Sequence, residues 1–158
     1  MFKVSRNFST LLSLTISVIF FLCCIVGMFI LPFLIEFLLT FPAGMFGSRD
    51  SLSQLERILI YIASYGIIAC FILADILLFF LLLRVRRGLV FTDRTVSLIR
   101  GVSWCCFGLC IPFGFLGIYF QLSLLVCIFA FFLGTCLRVC KNAFEEATQI
   151  KQENDLTV

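Results

Sequence analysis

From Leu11 to Leu39 the sequence runs almost unbroken through apolar residues. A helix needs only about 20 such residues to cross a hydrocarbon core of roughly 30 Å, so this segment alone is long enough to span a bilayer. Residues 57–83 form a second run of the same kind, and the stretch from Leu98 to Leu137 is long enough for two more. Each backbone amide in lipid must be satisfied within its own segment, which makes helices the expected form. The chain is 62% hydrophobic, only 13% charged and carries 21 Phe. A soluble domain of this length leaves too much surface in water to hide that many apolar side chains.

The expected architecture is an all-α integral membrane protein, one domain over residues 1–158 with four transmembrane helices. The spans fall at about 11–39, 57–83, 96–117 and 120–140. Residues 84–95 form a turn, and residues 141–158 a short helical C-terminal tail in which Phe144, Ala147 and Ile150 recur at helical spacing. Lys3 and Arg6 before the first run resemble the start of a signal peptide. The run is too long for an h-region and no small-x-small site follows it, so it reads as a retained first helix.

The stretch Arg84 to Gly101, R-V-R-R-G-L-V-F-T-D-R-T-V-S-L-I-R-G, separates the two apolar halves. Arg84, Arg86 and Arg87 suit the negative end of a helix, and Gly88 suits the residue that stops it. Thr92 reads as the N-cap of the third helix, with Asp93 in its first turn. Phe91 and Val96 occupy the positions of a hydrophobic staple. On the far side, Ser51 or Ser53 is placed to cap the second helix, with Gln54 or Glu56 reaching back. Pro42, Gly44 and Gly47 break the loop before it. The turn between helices three and four is expected near Gly117 to Ser123, with Tyr119 as an interfacial anchor.

Charge sets an orientation. Four spans put Lys3, Arg6, Arg84, Arg86, Arg87, Arg94, Arg100, Arg138, Lys141 and Lys151 on one side. Only Arg49 and Arg57 of the 12 basic residues remain for the other. The positive-inside rule then places both termini in the cytoplasm of a cell membrane.

Asp75 stands apart from these polar segments. It lies nine residues before Arg84, so at about 1.5 Å per residue it sits roughly 13 Å deep. A carboxylate at that depth must pair or stay protonated. It is either an intramembrane working site or a neutral group hydrogen-bonded to Ser17, Ser103 or Thr135 of another helix.

The nine Cys all fall in apolar runs, and there is no His. Cys106/Cys110 and Cys136/Cys140 are spaced to share a helix face, but without His or clustered acids they read as small apolar packing residues. No metal or cofactor is expected. There is no Ser/His/Asp set and no Gly-rich phosphate loop, so an enzyme is not expected.

Gly88-x-x-Phe91-Thr92 followed by Leu98-x-Arg100 resembles a G-x-x-F-T…L-R pattern. Phe144-x-x-Ala147, followed by Glu153-Asn154-Asp155-Leu156-Thr157-Val158, resembles an F-x-x-A…E-x-D-L-T-V/I ending. In this order and spacing they resemble the bacterial membrane protein family called domain of unknown function 2975, a resemblance extending over almost the whole chain. The family has no established activity. The resemblance implies a short four-helix membrane protein encoded beside a small helix-turn-helix regulator, and hence one that tethers or antagonises a cytoplasmic transcription factor.

Two functions are therefore weighed. The first is a non-enzymatic regulator or tether acting with such a factor through Arg84, Arg86, Arg87, Phe91, Thr92, Arg94 and Arg100 of the turn and Asp155, Leu156 and Thr157 of the tail. The second is a small transporter, pore or toxin-immunity membrane protein that uses Asp75. The partners this admits are the lipid bilayer, the cytoplasmic regulator and a second copy of the chain. Direct nucleic-acid binding is not expected.

Overall fold

The computed structural model describes residues 6–40 and 53–156, with side chains over 10–40 and 53–153. It is all-helical: α1 (Arg6–Thr40), α2 (Gln54–Arg86), α3 (Asp93–Leu116) and α4 (Gln121–Leu156). All four helices are long and apolar enough to cross a membrane. Each expected apolar segment falls, to within a residue, inside one of them. The expected loop features at Pro42, Gly44 and Gly47 lie outside the described residues.

Local chemistry accounts for the helix ends. Ser53 caps α2: its Oγ accepts from the Glu56 amide at 3.3 Å, and Glu56 Oε2 accepts from the Ser53 amide at 2.8 Å. This reciprocal pair satisfies two amide groups that the first turn leaves without helical partners. At the other end Gly88 takes a left-handed φ of 75°, which side-chain-bearing residues rarely adopt. Gly88 N–H then donates to Val85 O and Leu89 N–H to Arg84 O, both at 3.1 Å. That is a Schellman closure, and it turns the chain sharply toward α3. Thr92 caps α3 from an extended conformation. Leu116 ends α3, and α4 begins at Gln121, within the region expected to turn. Pro112 lies inside α3 without interrupting its assignment.

Each helix packs chiefly on its sequence neighbour, α1 on α2, α2 on α3 and α3 on α4. The core sits at the end of the bundle away from the polar turn. There Ile35, Ile60, Ile67, Leu109, Leu116 and Phe120 are buried together. The outward faces are strongly apolar, with Phe29, Phe33, Ile111 and Phe132 largely exposed. Exposed apolar surface on this scale is rare on monomers that live in water.

Tyr119, expected as an interfacial anchor, lies in the α3–α4 turn beside the start of α2. It is buried, and its hydroxyl donates to Glu56 Oε1 at 3.3 Å. The phenol closes onto the N-terminus of α2 because Glu56, already engaged in the Ser53 cap, offers its second oxygen. Nearby, the Tyr61 hydroxyl donates to Glu36 on α1 at 3.1 Å. Arg57 approaches the same carboxylate at 3.6 Å.

At the α3–α4 crossing a side chain of one helix meets the backbone of the other. Ser103 is 2% exposed, and its Oγ donates to the backbone carbonyl of Gly134 at 2.9 Å. A Cβ at Gly134 would lie 3.2 Å from Cys106 Cβ and 3.2 Å from the Phe107 ring. Small residues of this kind let two apolar helices approach closely enough for backbone contact. Gly134→Val is expected to destabilise the bundle by about 1–3 kcal/mol through forced overpacking. Ser103→Ala should cost less, about 0.6 kcal/mol, the usual worth of one such interhelical hydrogen bond. Reversible unfolding in mixed detergent micelles measures both, and the order of the two variants is the decisive readout.

Candidate functional site

The polar turn is a structured object. Thr92 Oγ1 receives the Arg84 guanidinium at 3.1 Å and lies 2.9 Å from Thr95 Oγ1. Thr95 Oγ1 donates in turn to Leu89 O at 3.0 Å. Thr95 is almost wholly buried, so its hydroxyl needs these partners. Arg84 is thereby part of the turn's own framework. Arg86, Arg87 and Arg94 are exposed, and none of them is paired with a carboxylate among the described residues. Arg84, Arg87 and Arg94 face one cleft between α2 and α3.

Helix α4 runs on past the polar turn, and the turn docks against it. The Phe91 ring lies over Phe144 with centroids 6.2 Å apart and planes inclined by 33°. Phe91 was expected to staple onto Val96. Val96 is buried, but the aromatic contact of Phe91 is made with α4. The staple rule considers one helix end alone, and here a second helix offers the ring a larger apolar partner. Arg100 reaches Glu145 at 3.6 Å, and Lys141 pairs with the same carboxylate one turn away. The hydrogen bond from Lys141 lowers the Glu145 carboxyl below its ordinary value. The charges of Lys141 and Arg100 act in the same direction, against the opposing effect of burial. Below this, the Arg138 guanidinium sits 5.1 Å from the centre of the Trp104 ring. Thr148 is buried and turns its hydroxyl back to Phe144 O at 2.7 Å.

Turn and tail are thus brought together through Phe91, Arg100, Phe144 and Glu145. The side chains of Asp155, Leu156 and Thr157, which the sequence singles out in the tail, lie outside the described residues. Sequence reasoning missed Trp104, Arg138, Lys141 and Glu145 as members of this surface. The signal for the last two was the i, i+4 spacing of opposite charges on one helix face.

Asp75 is 5% exposed, and it accepts a hydrogen bond of 2.8 Å from Ser17 Oγ on α1. Of the three donors considered for it, Ser17 is the one that reaches it. Ser103 is committed to Gly134, and Thr135 bonds back to Phe131 O at 3.0 Å on its own helix. Asp75 and Ser17 border a cleft of about 310 Å³ that is otherwise walled by apolar residues such as Phe21 and Phe79. The pair is the polar link between α1 and the rest of the bundle at this depth. At the opposite end of the same interface stands Glu36 with Tyr61 and Arg57.

The cysteines contribute to the α3–α4 contact. The Cys110 thiol points to Cys127 O at 3.8 Å and the Cys127 thiol to Cys110 O at 3.4 Å. These are weak bonds between small apolar residues on facing helices. Among the described residues no group of three His, Cys, Asp or Glu side chains is gathered as a metal site.

Ser17→Ala is expected to weaken the docking of α1 by about 0.6–2 kcal/mol, since it leaves a buried carboxyl without its donor. Asp75→Asn, which keeps an acceptor for the hydroxyl, should cost less. Disulfide trapping between engineered cysteines on α1 and α2 reads this out. A second expectation concerns pH. Because the native Glu145 carboxyl lies below its ordinary value, its contact with Lys141 and Arg100 contributes fully above about pH 4.3. It is lost as pH falls through the lower native value. Hydrogen exchange of the α4 extension, corrected for intrinsic rates, should rise in that acid window and remain unchanged from pH 5 to pH 7.

The family described as protein of unknown function (DUF2975) matches residues 49–158. The match takes in α2, α3, α4 and every motif residue from Gly88 onward. It leaves α1 outside, so the likeness is narrower than the near-complete span expected from those motifs, all of which lie in the second half of the chain. Neither a curated protein nor a solved structure gives a significant match. With more than half of its length matched, and the polar turn and tail inside that match, the chain belongs to the DUF2975 family.

Proposed function

We propose that the protein is a multi-pass cell-membrane protein with both termini in the cytoplasm, acting as a non-enzymatic regulator or tether of a soluble partner. One observation carries this reading. Two polar segments far apart in the sequence are joined into a single surface by Phe91 on Phe144 and Arg100 on Glu145. The turn contributes unpaired guanidiniums and the α4 extension contributes exposed apolar side chains such as Ile150. A mixed surface of this kind suits a protein partner, since anchoring arises from aromatic and Arg side chains. The bias of basic residues toward this end supports a cytoplasmic address. The family resemblance supports a small helix-turn-helix regulator as the partner.

The experiment is affinity recovery of the intact chain from bacterial membranes, with Phe144→Ala/Glu145→Gln as the comparison. The intact protein should retain a cytoplasmic helix-turn-helix regulator, and the variant should retain it several-fold less while still fractionating with membranes. Recovery of no such regulator, under conditions that retain other membrane partners, overturns the reading. Reporter fusions after residue 158 and within residues 41–52 test the orientation separately.

The competing reading is a small transporter, pore or toxin-immunity protein working through Asp75, supported by the depth of that carboxylate and the cleft beside it. The bond from Ser17 supplies a structural role for the same group. Asp75→Asn separates the two: loss of the membrane phenotype with normal insertion supports transport or immunity, and an unchanged phenotype removes it.

A further inference from the structure

We propose that the cleft between the end of α2 and the start of α3 binds the phosphate headgroup of one anionic phospholipid. The cleft encloses about 490 Å³, and Arg84, Arg87, Arg94 and Ser97 supply its polar lining. Phe80, Leu83, Leu89 and Leu98 line the remainder. This extends the membrane placement given above and does not depend on any protein partner.

Charge is the first argument. Three guanidiniums face one cavity, and among the described residues none is paired with a carboxylate. Arg84 gives one N–H to Thr92, and a guanidinium has five to give. Asp93, the one acid in the first turn of α3, is exposed and does not line the cleft. A fork of guanidinium N–H groups matches the oxygens of a phosphate better than any other common anion except carboxylate. The neighbouring basic cleft, of about 270 Å³ with Arg100, Arg138 and Lys141, lacks this vacancy of counter-charge. Its cations are occupied by Glu145 and by the face of Trp104.

Polarity order is the second argument. Phe80 lies one turn before Arg84 on α2, and Leu98 one turn after Arg94 on α3. The two helices run antiparallel, so the guanidiniums stand at the outer end of the cleft beside Leu89 of the turn, and Phe80 and Leu98 at the inner end. A phospholipid placed at this level has the same order, phosphate outward and acyl chain inward. Free phosphate would use the Arg side chains and leave the apolar half of the cleft unfilled. Each Lys or Arg near an anionic lipid surface contributes about 1 kcal/mol, a factor of roughly five in binding.

The test uses the full chain purified in non-ionic detergent. Phosphatidylglycerol and phosphatidylcholine of matched chains are offered in equal amounts, and retained lipid is counted by native mass spectrometry. One phosphatidylglycerol should be retained preferentially. Arg87→Gln/Arg94→Gln spares the turn-forming Arg84 and should lower that preference by roughly 25-fold, two factors of about five. Ser97→Phe fills the cleft without changing charge and should also abolish it, which covers the case of a double variant that fails to fold. Arg100→Gln/Arg138→Gln should leave the preference intact. Equal retention of the two lipids by the unaltered chain overturns the proposal. So does a preference that survives Arg87→Gln/Arg94→Gln, or one lost only in Arg100→Gln/Arg138→Gln. Displacement of the lipid by millimolar inorganic phosphate would make the site one for a free anion and also overturn it. Co-flotation of the chain with phosphatidylcholine vesicles checks the membrane placement independently, so its failure is distinguishable from failure of the site.

Discussion

In a bilayer an apolar helix gains little by exchanging lipid for another apolar helix, so there something other than hydrophobic burial would have to hold four such helices together. In each case a hydroxyl reaches across to a neighbouring helix or turn. Ser17 binds Asp75 between α1 and α2, and Ser103 binds the Gly134 carbonyl between α3 and α4. The Tyr119 phenol ties the α3–α4 turn to Glu56 at the start of α2. Thr92 and Thr95 hold the α2–α3 turn to Arg84 and to Leu89 O. The polar atoms are few, and among the described residues no buried side-chain nitrogen or oxygen lacks a partner. A buried donor in such surroundings either finds an acceptor or costs several kcal/mol. The register of the helices follows from where these few groups meet.

This explains which parts of the architecture could be read in advance. Helix ends depend on local chemistry, and Ser53 with Glu56, Gly88 and Thr92 announce themselves by residue type and spacing. The span positions follow from length and apolarity. What the sequence withheld was rotation about each helix axis. A helix that is apolar on every side has no polar stripe to say which face meets a neighbour. Hence Asp75 had three plausible donors and only the fold selects Ser17. Tyr119 was expected at an interface, and its bond to Glu56, 63 positions away in sequence, was not foreseen. The companion of the polar turn was sought at Asp155, Leu156 and Thr157, whose side chains lie outside the described residues, and the contacts at Phe144 and Glu145 were not foreseen.

The first helix has a different standing from the other three. It lies outside the family match and packs chiefly on α2. Its polar attachments include Ser17 with Asp75 and Glu36 with Tyr61 and Arg57. Exposed ion pairs such as Arg57–Glu36 contribute about 0–1 kcal/mol each, so the buried bond is the more discriminating of the two. Asp75 belongs to the matched portion and its donor does not. The bond from Ser17 to this carboxylate joins α1 to α2.

Helix α4 is a single 36-residue rod, about 54 Å long at 1.5 Å per residue. The Gly134 carbonyl, which accepts the Ser103 hydroxyl of α3, stands some 20 Å from one end and roughly 29 Å from Glu153 near the other. A rigid rod pivoting at that bond would have two unequal arms. Swinging the Glu153 end sideways carries the Gln121 end the opposite way by about two thirds as much, as the two arm lengths dictate. The clasp of Phe91 on Phe144 and Arg100 on Glu145 holds the long arm still. The short arm begins at Gln121, directly after the turn in which the Tyr119 phenol is bonded to Glu56.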